Sequence, residues 1–205
     1  MSAELMDMAR AERRELAEFL QTLSPQQWEA ASLCAGWSVR HVVAHMISYE
    51  ELGGMGLLKR FAKGRILHAN QVGVDEYAAL TPQQLVTFLE DHLQPRGLTA
   101  GFGGMIALVD ATIHHQDIRR PLALPRRIPP ARLRRVLGFM PANPRLGVPW
   151  RIRGLRLRAD DMDWAHGRGP EVAGTGEALL MAMAGRPAVL GELSGAGNAI
   201  LASRL

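Results

Sequence analysis

Residues 110–120, DATIHHQDIRR, place Asp110, His114, His115 and Asp117 close together, directly after the apolar run GGMIALV. Carboxylates and imidazoles are the side chains that bind a borderline metal ion or move protons near neutral pH. On a helix, Asp110 and His114 stand four residues apart and lie one above the other on the same face. A carboxylate oxygen and an imidazole nitrogen can then converge on one ion, which for zinc requires ligand distances of roughly 2.0–2.2 Å. Such a clip needs a third ligand from another element. His45 is the natural donor, because it sits inside the apolar segment SVRHVVAHMIS, where a buried imidazole requires a partner. His41, four residues before His45, is the rival: those two could form a clip of their own. His115 is turned about 100° from His114 and is assigned a surface role. The plainer alternative is a helix that leaves the core and turns polar, with a hydrogen-bonded core histidine at position 45.

The elements that must carry these residues are mostly helical. Leu5, Met8, Ala9, Leu16, Phe19 and Leu20 recur near a 3.6-residue period over residues 4–22. SPQQW at 24–28 is a helix start, with Ser24 as N-cap, Pro25 in the first turn and Gln27 reaching back; TPQQL at 81–85 repeats the device. A helix from Ser38 carries Val42, Val43, Ala44 and Met46 inward and is expected to stop near Gly53–Gly54. Another runs from about 103 to 119 and ends before Pro121. Shorter helices are expected near 55–64 and 129–140. These segments predict a four-helix bundle over residues 1–140. PANPRLGVP then reads as a linker, and WRIRGLRLRAD alternates apolar and basic residues like half-buried strands, first through Trp150 and Ile152 and then through Leu155, Leu157 and Ala159. GTGEALLMAMAGR reads as a helix closed by Gly185, and AILASRL as a short terminal one. The fold class is therefore mainly α with a small α+β part, the bundle being followed by a small α/β domain over residues 141–205.

Composition narrows the function classes. With 47% hydrophobic and 21% charged residues, the chain has the make-up of a globular protein. No apolar run reaches the length of a membrane span, and no secretory signal is visible at the N-terminus, so a cytoplasmic location and no membrane partner are expected. Cys34 is the single cysteine, which excludes an internal disulfide and a cysteine-rich zinc finger. Arginines cluster between Arg119 and Arg135, but no aromatic residues interleave them for base stacking, so a nucleic-acid partner is disfavoured against a solvated face or salt bridges.

Three stretches carry a family likeness. LCAGWSVRHVVAHM resembles the N-terminal signature of the maleylpyruvate isomerase-like, mycothiol-dependent proteins of the DinB superfamily. DATIHHQDIRRPL resembles their second signature, a carboxylate-x-x-x-His-x-x-Asp followed by Pro-Leu. The tail from GLRLRADDMDW to ELSG is similar to the C-terminal segment that many of them carry. The resemblance implies a DinB-like bundle binding a divalent metal, Zn²⁺ or else Ni²⁺, through one histidine of the first signature and a carboxylate and histidine of the second. In this chain those are His45, Asp110 and His114. His41 falls where the family commonly has Asp. The isomerase type has Glu where this chain has Asp110, a side chain longer by one methylene. Asp117 matches the signature's final Asp and is assigned as a partner that orients a ligand or an arginine, against a plain helix-end carboxylate.

Three protein ligands leave a fourth position open, the arrangement of a catalytic rather than a structural zinc. The resemblance implies that the sulfur of a low-molecular-weight thiol, mycothiol or similar, fills it. A free thiol is mostly protonated at neutral pH, whereas a coordinated one is deprotonated. The expected catalytic set is thus His45, Asp110, His114 and Asp117, acting on a small electrophile as an isomerase or a thiol S-transferase. Arg168, in GRGPEVAG, is the candidate for the anionic thiol cofactor; that stretch is no dinucleotide fingerprint, since no strand–GxGxxG–helix context surrounds it. Trp37 is read as a packing residue with a substrate wall as the alternative, and Cys34 as structural unless exposed. The competing reading is a non-catalytic DinB-like protein that binds a metal or small molecule. A homodimer is compatible with the exposed bundle faces.

Overall fold

The computed structural model describes residues 2–63 and 68–205, and the chain divides into two compact units, residues 1–125 and 126–205. The first unit contains α1 (Ser2–Leu20), α2 (Pro25–Glu29), α3 (Val39–Ile47), α4 (Gly54–Lys63), α5 (Ala69–Tyr77), α6 (Pro82–Asp91) and α7 (Met105–Arg119). Helices α1, α6, α3 and α7 form a closed ring of neighbours, α1 against α6, α6 against α3, α3 against α7 and α7 against α1. That ring is the predicted four-helix bundle. Its core is made of Leu16 and Leu20 from α1, Val39, Val42, Val43 and Ile47 from α3, Leu85 and Leu89 from α6, and Ala111 and Ile118 from α7.

The helix starts follow their sequence signals. Ser24 Oγ accepts from the Gln27 N–H while the Gln27 side chain accepts from the Ser24 N–H, and Thr81 and Gln84 repeat the exchange at α6. Two ends differ from expectation. Helix α3 stops at Ile47 rather than near Gly53. Ser48 Oγ donates back to the His45 carbonyl, and Arg60 takes the Ser48 carbonyl, so the backbone is satisfied without another helical turn. Helix α7 starts at Met105, after a 3₁₀ turn over Gly101–Gly104. Gly104 has φ +94°, and a Cβ there would stand 3.1 Å from the Met6 Cα, so only glycine lets the start of α7 approach α1 this closely. Helix α4 covers the expected segment near 55–64 as far as Lys63, and residue 64 lies outside the described residues. Helix α5 had no counterpart in the sequence reading.

The second unit contains α8 (Pro130–Phe139), α9 (Val148–Arg151), strands β1 (Arg156–Ala159), β2 (Ala165–Gly167) and β3 (Glu171–Gly174), then α10 (Gly176–Met183) and α11 (Asn198–Ala202). Helix α8, counted with the bundle in the sequence reading, lies in this unit by compactness. PANPRLGVP, read as a linker, folds as two 3₁₀ turns and the start of α9, all within the same unit. The first predicted strand, through Trp150 and Ile152, is instead α9 and the turn after it: Pro149 sits in the first helical turn, and the chain reverses at Gly154 with φ +70°. The second predicted strand is β1, the middle of a sheet ordered β2-β1-β3, antiparallel to β2 and parallel to β3. Its Leu157 and Ala159 are buried and Arg156 is exposed, the alternation that period two requires. No described helix is long and apolar enough to cross a membrane.

Candidate metal centre in the helical bundle

Helix α7 is buried almost all the way round, and its polar half does not leave the core. His114, His115, Gln116 and Asp117 are all buried, Asp117 completely. Each must therefore find a partner or leave an uncompensated polar group inside the protein. The 100° turn between consecutive residues sends them to different neighbours.

His115 is not a surface residue. It is 1% exposed, its Nδ1 lies 3.0 Å from Glu12 Oε1 of α1, and its Nε2 accepts from Arg119 Nε at 2.8 Å. The expectation failed because the second neighbour was invisible: the close α1–α7 packing brings a fully buried Glu12 against it.

His114 faces α3. Its Nε2 lies 3.5 Å from Asp110 Oδ1, and the same oxygen lies 3.7 Å from Nε2 of His45. The His45 and His114 rings meet edge to face with centroids 5.0 Å apart. The spacing predicted for Asp110 and His114 and the placement of His45 on the facing helix thus bring the three side chains together, with one ligand atom of each within 4.8 Å of the others. The shorter carboxylate at position 110 reaches both imidazoles. Both separations exceed the 2.7–3.2 Å of a good hydrogen bond. They are close to the edge of a ligand tetrahedron, about 3.3–3.6 Å for bonds of roughly 2.0–2.2 Å. The donor set, two imidazoles and a carboxylate, is one that Zn²⁺ and similar divalent ions accept. These residues fit such an ion. His45 and His114 are nearly closed off, while the Asp110 side chain is 31% exposed, so solvent reaches the group on the Asp110 side.

Behind His114 lies a hydrogen-bond chain. Its Nδ1 donates to Asp117 Oδ2 at 2.9 Å, and Cys34 Sγ donates to the same oxygen at 3.2 Å. Asp117 also holds the segment carrying Cys34, since its carbonyl accepts from the Leu33 N–H. The Nδ1 bond fixes the tautomer that leaves Nε2 free toward Asp110 and His45. Cys34, His114 and Asp117 also cluster closely, but two of their separations are hydrogen-bond distances and the carboxylate is sealed, so they read as a hydrogen-bonded group. His41, the rival, is used locally: its Nδ1 accepts from the Ser38 N–H at 3.1 Å and caps α3.

His45 is held differently. Its ring lies between Trp37, at 5.2 Å between centroids, and Tyr49, at 5.8 Å and nearly perpendicular. Its buried Nδ1 has no hydrogen-bond partner among the described residues. Arg168 lies in the second unit, on the exposed turn between β2 and β3.

The charges of the trio are set by one another. Burial pushes the His114 pKa down, but the Asp110 carboxylate, with Asp117 and Cys34 behind it, wins and holds it well above the ordinary imidazole value. Burial would raise Asp110, yet His114 and then His45 keep its carboxyl well below the usual carboxylate range. His45 is lowered, by burial first and also by the charges of His114 and Arg60, against the pull of Asp110. Without an ion these shifts favour an ionised Asp110, a protonated His114 and a neutral His45.

A four-helix bundle with a histidine on one helix facing a carboxylate-x-x-x-histidine clip on another is a candidate helical metal-site scaffold. Residues 9–96 match the model of the mycothiol maleylpyruvate isomerase N-terminal domain. Two solved structures share the fold over 97% of this chain and 94% of theirs. A histidine-to-alanine variant of the mycothiol-dependent maleylpyruvate isomerase superposes with a TM-score of 0.63 at 15% identity. The mycothiol-dependent maleylpyruvate isomerase itself gives 0.58 at 14%. No curated protein matches the sequence.

Proposed function

We propose that the protein is a metal-dependent enzyme that uses a low-molecular-weight thiol, mycothiol or a close analogue, on a small electrophile, as an isomerase or a thiol S-transferase. The observation that carries the reading is the convergence of His45, Asp110 and His114 with one accessible side. His45 and His114 would each present Nε2, and Asp110 Oδ1, to a divalent ion, Zn²⁺ or else Ni²⁺. When bound, the ion supplies Lewis acidity, which lowers the pKa of a thiol and polarises a substrate oxygen. Asp117 keeps His114 in the tautomer that ligation needs, and Cys34 steadies the same carboxylate. Burial of both imidazoles excludes water from all but the Asp110 side. The similar solved structures are a mycothiol-dependent isomerase, which supports the choice of thiol and of reaction class. The chain's own single cysteine donates its S–H to Asp117, which supports a nucleophilic sulfur supplied from outside the protein.

The test is elemental analysis of protein purified without a His-tag or chelator, beside His45→Ala and His114→Ala. About one divalent ion per chain, lost in both variants, supports the centre; thiol-dependent turnover of electrophiles is then screened. A wild type that takes up neither Zn²⁺ nor Ni²⁺ refutes it.

A further inference from the structure

The two histidines of the trio are positioned by different means. His114 has the usual device, an Nδ1–H bonded to a buried carboxylate. His45 has none: its Nδ1 is buried and no acceptor among the described residues meets it. A ring that ligates through Nε2 and lacks a partner on its other nitrogen must be held by its faces and edges, and three rings touch this one. Trp37 lies against it, and Tyr49 and His114 meet it nearly perpendicular. Perpendicular and offset ring contacts have preferred geometries, so they resist rotation and do not merely fill space.

These aromatic side chains are themselves tied down, from one element. Trp37 Nε1 donates to Gln71 Oε1 at 3.0 Å, and the Tyr49 hydroxyl donates to Asn70 Oδ1 at 2.6 Å. Asn70 and Gln71 are consecutive residues at the start of α5, so one short helix grips both walls of the His45 ring. Helix α5 is seated by Gly73, where a Cβ would fall 2.4 Å from Ser48 Oγ and 3.0 Å from Arg60 Nη1. Arg60 completes the seat: it reaches Ser48, forms an ion pair with Glu76 of α5 and lies over the Tyr49 ring with its guanidinium carbon 5.0 Å from the centroid.

We infer that Trp37 and Tyr49, clamped by Gln71 and Asn70, are positioning residues for His45, taking the place of the hydrogen-bond acceptor that it lacks. The inference rests on the metal-centre reading above. It assigns α5, which carries no ligand of the trio, the task of fixing the ligand from α3.

The experiment uses Co²⁺ as probe on the full chain, because its visible absorption reports ligand geometry as well as occupancy. Trp37→Leu and Tyr49→Leu are expected to weaken Co²⁺ binding by roughly tenfold or more, the scale for losing a group that orients a ligand, and to shift the visible bands. Trp37→Phe keeps an aromatic face and should restore most of the affinity and the spectrum. Tyr49→Phe and Gln71→Leu remove only the clamp, leave the core intact and should each move the bands in the same direction by less. Far-UV circular dichroism and thermal melting accompany every variant; should a leucine variant not fold, Trp37→Phe, Tyr49→Phe and Gln71→Leu decide. Folded variants that bind Co²⁺ with unchanged affinity and spectrum overturn the inference while leaving the metal centre standing. A wild type that binds no Co²⁺ overturns the metal centre itself.

Discussion

The ionic state of the trio makes metal binding a proton exchange, and its size follows from the geometry. Asp110 Oδ1, 3.5 Å away, and Asp117 Oδ2, 2.9 Å away, both favour the protonated form of His114 and raise its pKa well above the ordinary value. An ion that takes its Nε2 must displace that proton, whereas neutral His45 and ionised Asp110 are ready as they are. The expected stoichiometry is about one proton released per ion at pH 7. The apparent affinity should rise about tenfold, or 1.4 kcal/mol, for each pH unit below the raised His114 pKa. The stability of the ion-free protein runs the other way. A raised histidine pKa contributes stability that is complete below its ordinary value near 6.5 and lost as pH climbs through the folded value. Between pH 6 and 8 the ion-free melting temperature should therefore fall on this account while stabilisation by Zn²⁺ grows. Calorimetric titration with Zn²⁺ in two buffers of different ionisation enthalpy counts the protons directly. Asp110→Asn, which removes the principal charge holding the proton, should reduce both the release and the slope. No proton release with a flat affinity from pH 6 to 8 would mean that His114 is neutral, and the electrostatic account would be wrong.

Two further perturbations separate the site from its frame. Asp117→Asn keeps the side-chain shape but removes the charge that fixes the His114 tautomer; metal affinity should drop about 10- to 100-fold in competition with a chromophoric chelator, with Cys34→Ser staying near wild type. Glu12→Leu breaks the buried contact with His115 and should destabilise the fold by about 3 kcal/mol in urea denaturation, while the metal stoichiometry is unchanged because His115 faces away from the trio.

What the sequence revealed and what it hid divide along physical lines. Helix starts were legible because capping is local: Ser24 with Gln27, and Thr81 with Gln84, exchange their bonds within four residues. The Asp110–His114 juxtaposition was legible because it is fixed by the helical repeat, and His45 because an imidazole in an apolar stripe demands a partner. Features set by tertiary contact were not. Nothing near His115 announces Glu12, which is 103 residues away in sequence. The short α5 has no strong apolar stripe of its own and is held in place through Gly73, Arg60 and the aromatic rings. Trp150 and Ile152 mimic a strand because alternation over a few residues cannot be told from one turn of helix; Pro149 and Gly154 decide it.

The burial of so much polarity on α7 is itself informative. A bundle needs its central helix to be apolar, and replacing a buried ionic group with well-packed hydrophobic residues is often neutral or stabilising. Helix α7 instead carries Asp110, His114 and Asp117 along one side and His115 on another, and α1 supplies a fully buried glutamate to meet the last of these. The Glu12–His115 pair is closely hydrogen-bonded, with Arg119 beyond. The trio is looser: Asp110 stands 3.5 and 3.7 Å from the two imidazoles, longer than a good hydrogen bond, and His45 Nδ1 meets no acceptor among the described residues. A purely structural polar core would have closed those gaps as the Glu12 pair does. That the same helix bonds one cluster closely and leaves the other spaced for an occupant is the strongest physical argument for a binding centre at His45, Asp110 and His114.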